Sequence, residues 1–133
     1  MDGSIKELSA YRFSKALEDL KASKLMLHES MYKASINRSY YAIFHALRAV
    51  TVLEEFDSSK HSGIISYFNQ NFVKTGFFDS EASKIIKSIS RLREKSDYQD
   101  FYIASKQETE RQLESAIVFV DKVEGFLKEK TIL

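Results

Sequence analysis

The sequence predicts an all-α fold, an up-and-down antiparallel bundle of about five helices in a single domain over residues 1–133. The chain has no proline and only four glycines, so it lacks the turn residues that a β-rich fold of this size needs. Hydrophobic residues make up 44% of the chain and charged residues 29%, which is typical of a soluble globular domain. Apolar residues also recur at steps of three and four, the period of a helix.

The first two predicted helices run over about residues 4–28 and 31–55. Ser4 and Glu7 form a capping box before the first helix. Its apolar stripe comprises Ala10, Phe13, Leu17, Leu20 and Leu27. Ser30 is expected to cap the second helix. The stripe of that helix comprises Ile36, Tyr40, Ile43, Leu47 and Val50. Because the break between them is short, the two helices should be antiparallel neighbours.

A third, shorter helix is predicted from the polar stretch at residues 57–59 to about Val73. Its apolar side comprises Ile64, Ile65, Phe68 and Phe72. Gly76 is suited to a left-handed position at its C-terminal end.

The fourth helix is predicted from the capping residue Asp79 to about Lys95, with Ile85, Ile86, Ile89 and Leu92 inside. Residues 96–104 are predicted to form an aromatic-rich loop. Ser105 and Glu108 form a second capping box, before the last helix. The apolar stripe of that helix is wide, which predicts burial on more than one side.

Charge and residue content narrow the classes of function. Without cysteine, neither a disulfide nor a thiolate metal site can form, and no HExxH or paired ExxH spacing is present. We therefore expect no metal or other cofactor. The formal net charge of +1 argues against a dedicated DNA-binding domain but leaves room for a local RNA site. With neither a signal peptide nor a membrane span in view, we expect a cytoplasmic protein with no membrane association.

Arg38 and His45 on the second helix are the strongest candidates for catalysis. Their positions differ by seven, so both side chains lie on one helical face about 11 Å apart along the axis. Tyr41 lies between them on that face. Histidine can transfer protons near neutral pH, and arginine can hold a phosphate and its developing charge. The structural alternative is that Arg38 pairs with a carboxylate and His45 is a hydrogen-bonded helix residue.

Three blocks of the sequence resemble the HEPN superfamily, and within it a widespread group of small prokaryotic proteins. The blocks are NRSYYAIFHALRA (Asn37–Ala49), KHSGIISYFNQNFVKTG (Lys60–Gly76) and RLREKSDY (Arg91–Tyr98). Together with the flanking helices, they extend the resemblance to essentially the whole chain. The resemblance implies a helical bundle.

Many HEPN proteins are metal-independent ribonucleases whose motif is an Arg followed a few residues later by a His. Arg38 and His45 match this motif with six intervening residues. Ser39 stands where the family often has Asn, Asp or His. Leu47 stands where some toxins have a Tyr, so a mechanism that uses this Tyr does not transfer. The resemblance implies an RNA-cleaving toxin with His45 as general base and Arg38 as phosphate ligand.

The same resemblance implies a symmetric homodimer that brings two Arg/His pairs together, and a minimal nucleotidyltransferase as antitoxin. A rival hypothesis is a non-catalytic module that binds a nucleotide or serves as the interaction subunit of a nucleotidyltransferase. In that case Arg38, Lys60 and His61 would hold phosphate without breaking a bond. A third hypothesis is a purely structural helical dimer.

Further residues are candidates for binding substrate or phosphate. Lys60 and His61 begin the third helix, where free backbone N–H groups favour an anion. The structural alternative for them is an ion pair, for instance with Asp97. Aromatic residues beside Asp97 could stack on unpaired bases, although such a loop more often closes a core or a dimer interface. These are Tyr98, Phe101 and Tyr102.

The fourth helix bears a basic stripe at steps of three and four. Its members are Lys84, Lys87, Arg91 and Lys95. The stripe could lie along an RNA backbone. A charge stripe is more often a solvated face, however, and Glu81 and Glu94 dilute this one.

Overall fold

The computed structural model describes residues 3–133, and its regular elements there are all helical. The five helices are α1 (Gly3–His28), α2 (Tyr32–Thr51), α3 (His61–Phe68), α4 (Ser80–Tyr98) and α5 (Lys106–Glu129). A 3-10 turn (Val52–Glu54) continues α2, and a π-type turn (Asn69–Val73) continues α3. The predicted all-α bundle of about five helices is confirmed. Met1 and Asp2, which the predicted domain includes, lie outside the described residues.

Helices α1 and α2 are antiparallel and lie close together because small residues line their interface. At one end of the pair, Ser9 Oγ donates to the carbonyl oxygen of Ala49 at 2.6 Å. At the other end, Ser23 Oγ donates to the carbonyl oxygen of Ser35 at 2.9 Å and lies 2.8 Å from Ser39 Oγ. All five residues are fully buried. The hydroxyl groups therefore satisfy one another inside the bundle, in place of water.

The apolar stripe predicted for α1 is partly wrong. Phe13 and Leu20 are buried as expected, but Leu17 is 48% exposed. The buried face is rotated from the predicted one and includes Ala16 and the carboxylate of Asp19, which is only 8% exposed. The close approach of α2 leaves room on this face for small side chains and for polar side chains that find partners on α2.

The apolar stripes predicted for α2 and α4 are confirmed, since all of their members are buried. Phe119 and Phe126 widen the buried stripe of α5, but it remains one face, so the prediction of burial on more than one side is wrong. The opposite face is exposed at Arg111, Glu114, Val118, Asp121 and Gly125. The rings of Phe119 and Phe126 pack against phenylalanines that precede α4, which makes this end of the core aromatic. Those phenylalanines are Phe68, Phe72 and Phe78. No helix in residues 3–133 is long and apolar enough to cross a membrane.

The prediction that Ser30 caps α2 is wrong. Ser30 has a left-handed backbone (φ 60°), and its N–H donates to the carbonyl of Leu27 at 3.0 Å. The N–H of Met31 donates to the carbonyl of Met26 at 2.7 Å. Together these bonds form a Schellman motif, so Ser30 ends α1 instead of starting α2. Helix α2 begins after Met31, without a side-chain cap.

The predicted caps of α4 and α5 are confirmed. Asp79 accepts from the N–H three residues later at 3.3 Å, and Ser105 accepts from the N–H of Glu108 at 3.1 Å. The side chain of Glu108 accepts from the Tyr102 hydroxyl. Burial, together with this hydrogen bond, raises the pKa of Tyr102 to about 12. Gly76 is left-handed (φ 89°), as predicted.

Several predicted helix boundaries differ from the observed ones. Helix α2 ends at Thr51 and α3 at Phe68, before the predicted ends at about Glu55 and Val73. Helix α1 begins at Gly3, one residue before the predicted cap Ser4. Helix α3 begins at His61 and not within residues 57–59, because ion pairs hold the preceding loop in a non-helical path. Helix α4 continues to Tyr98, beyond the predicted end at Lys95.

Candidate functional site

Arg38 and His45 on α2 are joined by a carboxylate on α1. Nη1 of Arg38 donates to Asp19 Oδ1 at 3.0 Å, and Nδ1 of His45 lies 2.6 Å from Asp19 Oδ2. A carboxylate as buried as that of Asp19 needs such partners, because burial disfavours an unpaired charge. The three side chains therefore form one hydrogen-bonded unit.

The packing of α1 on α2 brings these side chains together. The serine contacts at the two ends of the helix pair fix the register of the two helices. Asp19 lies between those contacts on α1, and Arg38 and His45 lie between them on α2. Since Arg38 and His45 lie on one face of α2, a single side chain from α1 can reach both.

The contact with Asp19 leaves the other ring nitrogen of His45 available. When Nδ1 carries the proton and donates it to Asp19, Nε2 is an unprotonated acceptor. Within residues 3–133, no group forms a hydrogen bond with Nε2. The side chain of His45 is 25% exposed, so a ligand can reach it. His45 is thus arranged to take a proton at Nε2.

The guanidinium of Arg38 is fixed on two more sides. Its Nε and Nη2 donate to Asn37 Oδ1 at 3.3 Å and 2.8 Å. Its central carbon lies 5.0 Å from the centre of the Tyr41 ring, a cation–π distance. One N–H on each Nη has no acceptor in residues 3–133. These two N–H groups can donate to an anion while the other contacts hold the side chain.

His61, in the first turn of α3, joins the site through two residues of α2. Its Nδ1 lies 2.7 Å from the hydroxyl of Tyr40, and its ring is stacked 3.9 Å from that of Phe44. Burial, followed by the charge of Arg93, holds the pKa of His61 below its usual value. Burial also raises the pKa of Tyr40, whose hydroxyl can therefore donate to Nδ1. At neutral pH, His61 is an uncharged imidazole and not a cation that clamps an anion.

Arg93 extends from α4 over the tyrosines of the site. Its guanidinium carbon lies 4.8 Å from the ring centre of Tyr40, 5.7 Å from Tyr41 and 5.8 Å from Tyr98. Its Nε lies 3.1 Å from a carboxylate oxygen of Asp97, one turn later on α4. The site therefore has a second guanidinium, which is paired with Asp97.

An ion-pair cluster holds the loop before α3. Asp57 accepts from Arg12 at 3.0 Å and from Arg48 at 3.0 and 3.1 Å. Burial acts to raise the pKa of Asp57. The hydrogen bonds from Arg12 and from the Ser58 N–H, together with the charges of both arginines, outweigh burial and hold that pKa below its usual value. The cluster ties this loop to α1 and α2 and so places the start of α3.

The structure brings most of the predicted site residues to one surface. Arg38, Tyr41, His45, His61, Asp97 and Tyr98 are connected there by the contacts described above. The side chain of Lys60 is exposed and makes none of these contacts. The suggested ion pair of Lys60 or His61 with Asp97 does not form, because Asp97 pairs with Arg93.

The aromatic residues predicted to share one loop are separated in the structure. Tyr98, like Asp97, lies in the last turn of α4 and not in a loop. Tyr102 packs against the core, and Phe101 is 97% exposed.

Sequence reasoning missed Asp19 and Arg93. The sequence left open that Arg38 pairs with a carboxylate in a purely structural role. Asp19 is that carboxylate, but it also contacts His45. A lone Asp on α1 and a lone Arg on α4 have no helical spacing to the α2 motif, so their proximity appears only once the bundle is formed. Residues 3–133 contain no group of three or more His, Asp or Glu side chains placed to hold a metal ion.

Comparison with known proteins gives consistent matches over most of the chain. The model of the HEPN domain family matches residues 9–129, a range that includes every residue of the site. A Methanocaldococcus jannaschii protein named "Putative toxin MJ0605" is 34% identical, covering 86% of this chain and 84% of that protein. A second protein from that organism, "Putative toxin MJ0142", is 30% identical, with 90% and 81% covered. A Thermotoga maritima "UPF0332 protein" is also 30% identical, with 86% and 87% covered.

Proposed function

Since the chain belongs to the HEPN domain family, we propose that it is a metal-independent RNA endonuclease, acting in the cytoplasm as the toxin of a toxin–antitoxin pair. The main support is the contact of one carboxylate, Asp19, with both Arg38 and His45. A purely structural ion pair would need only the arginine and the carboxylate. A carboxylate that also orients a histidine beside an anion-binding arginine is suited to phosphodiester cleavage. The names of the two Methanocaldococcus relatives agree with a toxin role.

In the proposed reaction, His45 is the general base. Its Nε2 takes the proton from a ribose 2′-hydroxyl, and the 2′-oxygen attacks the adjacent phosphorus. Asp19 holds the imidazole in the required tautomer and stabilises the imidazolium that forms. The bond from phosphorus to the 5′-oxygen breaks, which leaves a 2′,3′-cyclic phosphate and a 5′-hydroxyl end.

Arg38 stabilises the negative charge that develops on the phosphate. Its two remaining N–H groups can donate to phosphate oxygens, while Asp19 and Asn37 keep the guanidinium from moving. The ordering of this side chain is therefore complete before RNA binds. Tyr41, which packs against the same guanidinium, lines the substrate side.

The departing 5′-oxygen needs a proton, and we propose that a second copy of the chain supplies it. In a symmetric dimer that brings two sites together, His45 of the partner subunit can act as the general acid. A minimal nucleotidyltransferase is the proposed antitoxin, on the basis of family membership.

The test is cleavage of a mixed RNA pool in EDTA, with the fragment ends identified. Wild type should leave cyclic phosphate ends, and the Arg38→Ala/His45→Ala variant should leave the RNA intact. His45→Asn is a gentler second variant, because its amide can still donate to Asp19. His28→Asn, which changes an exposed histidine at the end of α1, is the matched control and should cleave like wild type. Equal cleavage by wild type and His45→Asn would contradict the mechanism.

A second candidate function is a non-catalytic module that binds a nucleotide. The rings of Tyr41 and Tyr98, which both lie near the guanidinium of Arg93, support it because they offer surfaces for a base. This function predicts that a nucleotide raises the melting temperature of wild type but not that of Arg38→Ala, with no RNA cleaved.

A further inference from the structure

A basic groove of about 450 Å³ lies between α4 and α5, and neither Arg38 nor His45 lines it. We propose that this groove binds a single RNA strand through its phosphates and so anchors the substrate of the proposed nuclease; the choice of RNA rests on that proposed function. Five cationic side chains line the groove. They are Lys84, Lys87, Arg91 and Lys95 from α4 and Arg111 from α5.

These five cations are not neutralised within the described part of the chain. None of them has a carboxylate within ion-pair distance there, whereas the neighbouring cations Arg93 and Lys122 do. Glu81, which dilutes the stripe in the sequence, pairs with Lys122 in the structure. Glu94 does not line the groove. The stripe is thus a concentration of positive charge in a chain whose formal net charge is only +1.

One carboxylate, that of Glu108, does line the groove. It lies at the start of α5 and accepts a hydrogen bond from Tyr102. Five cations against one carboxylate leave the groove strongly positive. Like charges so close together repel one another, and a bound polyanion relieves that repulsion.

The shape of the groove selects a linear polyanion over a compact anion. The α4 cations recur about once per turn over about 16 Å, and Arg111 faces them from α5. Leu92 is the only large apolar side chain in the lining, so an acidic protein segment would find little to bury.

The floor of the groove has polar atoms suited to a nucleotide. Gln112 Nε2 donates to Ser88 Oγ at 3.3 Å across the groove. The buried Oε1 of Gln112 has no hydrogen-bond partner. Ser88 and Gln112 thus add uncharged polar groups to the lining between the cations.

The C-terminal end of α4 connects the groove with the catalytic site. Lys95, at that end of the groove, is one turn before Tyr98, whose ring lies 5.8 Å from the guanidinium of Arg93. Arg93 in turn lies near Tyr41. A strand held in the groove therefore has a path of cationic and aromatic side chains around α4 toward Arg38.

The test uses a fluorescent 2′-O-methyl RNA, which lacks the attacking hydroxyl, so that binding is read without cleavage. The variant Lys84→Gln/Arg91→Gln/Arg111→Gln should bind it at least tenfold more weakly than wild type. The slope of log K against log salt should fall by about 2, since each lost phosphate contact on a single strand accounts for about 0.7. The matched control is Lys21→Gln/Lys24→Gln/Lys33→Gln, which removes three exposed cations of α1 and α2. It should stay close to wild type.

Equal weakening of RNA binding by the two triple variants would show a general charge effect and overturn the proposal. Unchanged RNA binding by the groove variant would also overturn it. Poly-L-glutamate that competes as well as RNA would assign the groove to an acidic protein and also overturn it. A wild type that binds the probe through the groove but leaves ordinary RNA intact would support the groove and refute the nuclease. Circular dichroism confirms that each variant is folded.

Discussion

Asp19 and His45 lie 2.6 Å apart across the interface between α1 and α2, although 26 positions separate them in the chain. The second oxygen of the same carboxylate accepts from Arg38. One side chain of α1 therefore sets the position of both members of the α2 motif, which makes Asp19 the first residue to test.

Replacing Asp19 by Asn should abolish most of the RNA cleavage. The amide keeps the size of the carboxylate but has only one acceptor oxygen, so it cannot accept from both Arg38 and His45. We expect the cleavage rate to fall by about 100-fold or more, the usual contribution of a well-placed acid–base group. Cleavage kinetics and a thermal melt measure this.

Asp57→Asn is the matched control for Asp19→Asn, because Asp57 also accepts from two side chains but lies outside the motif. It should retain most of the cleavage rate. Similar losses in both variants would mean that Asp19 acts only through the fold.

Arg38→Lys should cleave poorly although the charge is kept. A lysine ammonium can reach Asp19, but it lacks the planar fork that also contacts Asn37 and leaves donors for phosphate. We expect the cleavage rate to fall by about 100-fold, as when one donor to a developing negative charge is removed. A rate within about threefold of wild type would show that charge alone suffices at this position. The same replacement at Arg12, outside the motif, is the control.

The stability of the fold should depend on pH through His61. Burial and the charge of Arg93 hold the pKa of His61 below that of the unfolded chain. As the pH falls below about 6.5, the unfolded chain binds this proton before the folded chain does, so the free energy of unfolding decreases. This stabilisation is complete above about pH 6.5 and is lost as the pH falls through the folded-state pKa.

Urea unfolding at about pH 7.5 and about pH 5.5 tests this dependence. The free energy of unfolding should fall more for wild type than for His61→Gln, which has no proton to bind there. His28→Gln should behave like wild type. Identical pH dependence in wild type and His61→Gln would remove His61 as the cause.

Ser30→Gly should stabilise the protein. Ser30 occupies the left-handed position of the Schellman motif that ends α1, where a side chain is disfavoured and glycine is not. We expect a gain of about 0.5–1 kcal/mol in the free energy of unfolding. The same change at Ser14, inside α1, should cost about 0.5 kcal/mol instead. A loss at both positions would show that the backbone of Ser30 is not strained.

The elements that depend on local spacing could be predicted from the sequence. The apolar stripe of α2 is correct because its large apolar residues recur at steps of three and four, and all of them are buried. The caps Asp79 and Ser105 are correct because a cap acts within three residues of itself. The prediction that Ser30 caps α2 was wrong because a polar residue between two helices can either end the first helix or start the second.

Contacts between helices could not be predicted from spacing. The spacing of Leu17 predicts a core residue. The core face of α1, however, is set by the small residues of α2, which pack against serines of α1 and not against its leucines. The spacing of Arg38 and His45 is local to one helix, so the sequence alone predicts that they share a face. Asp19 and Arg93 reach it from other helices, and no pattern in a single sequence gives those distances.

The candidate site draws on four successive helices, and the core beneath them is completed by a fifth. Helix α5 leaves the ribosome last of the five, and its phenylalanines close the aromatic end of the core on which α3 rests. Helix α5 packs directly on α2, so the helix that bears Arg38 and His45 has its full set of neighbours only once α5 is in place. We expect a chain still in translation to lack the complete site that the proposed RNA cleavage requires.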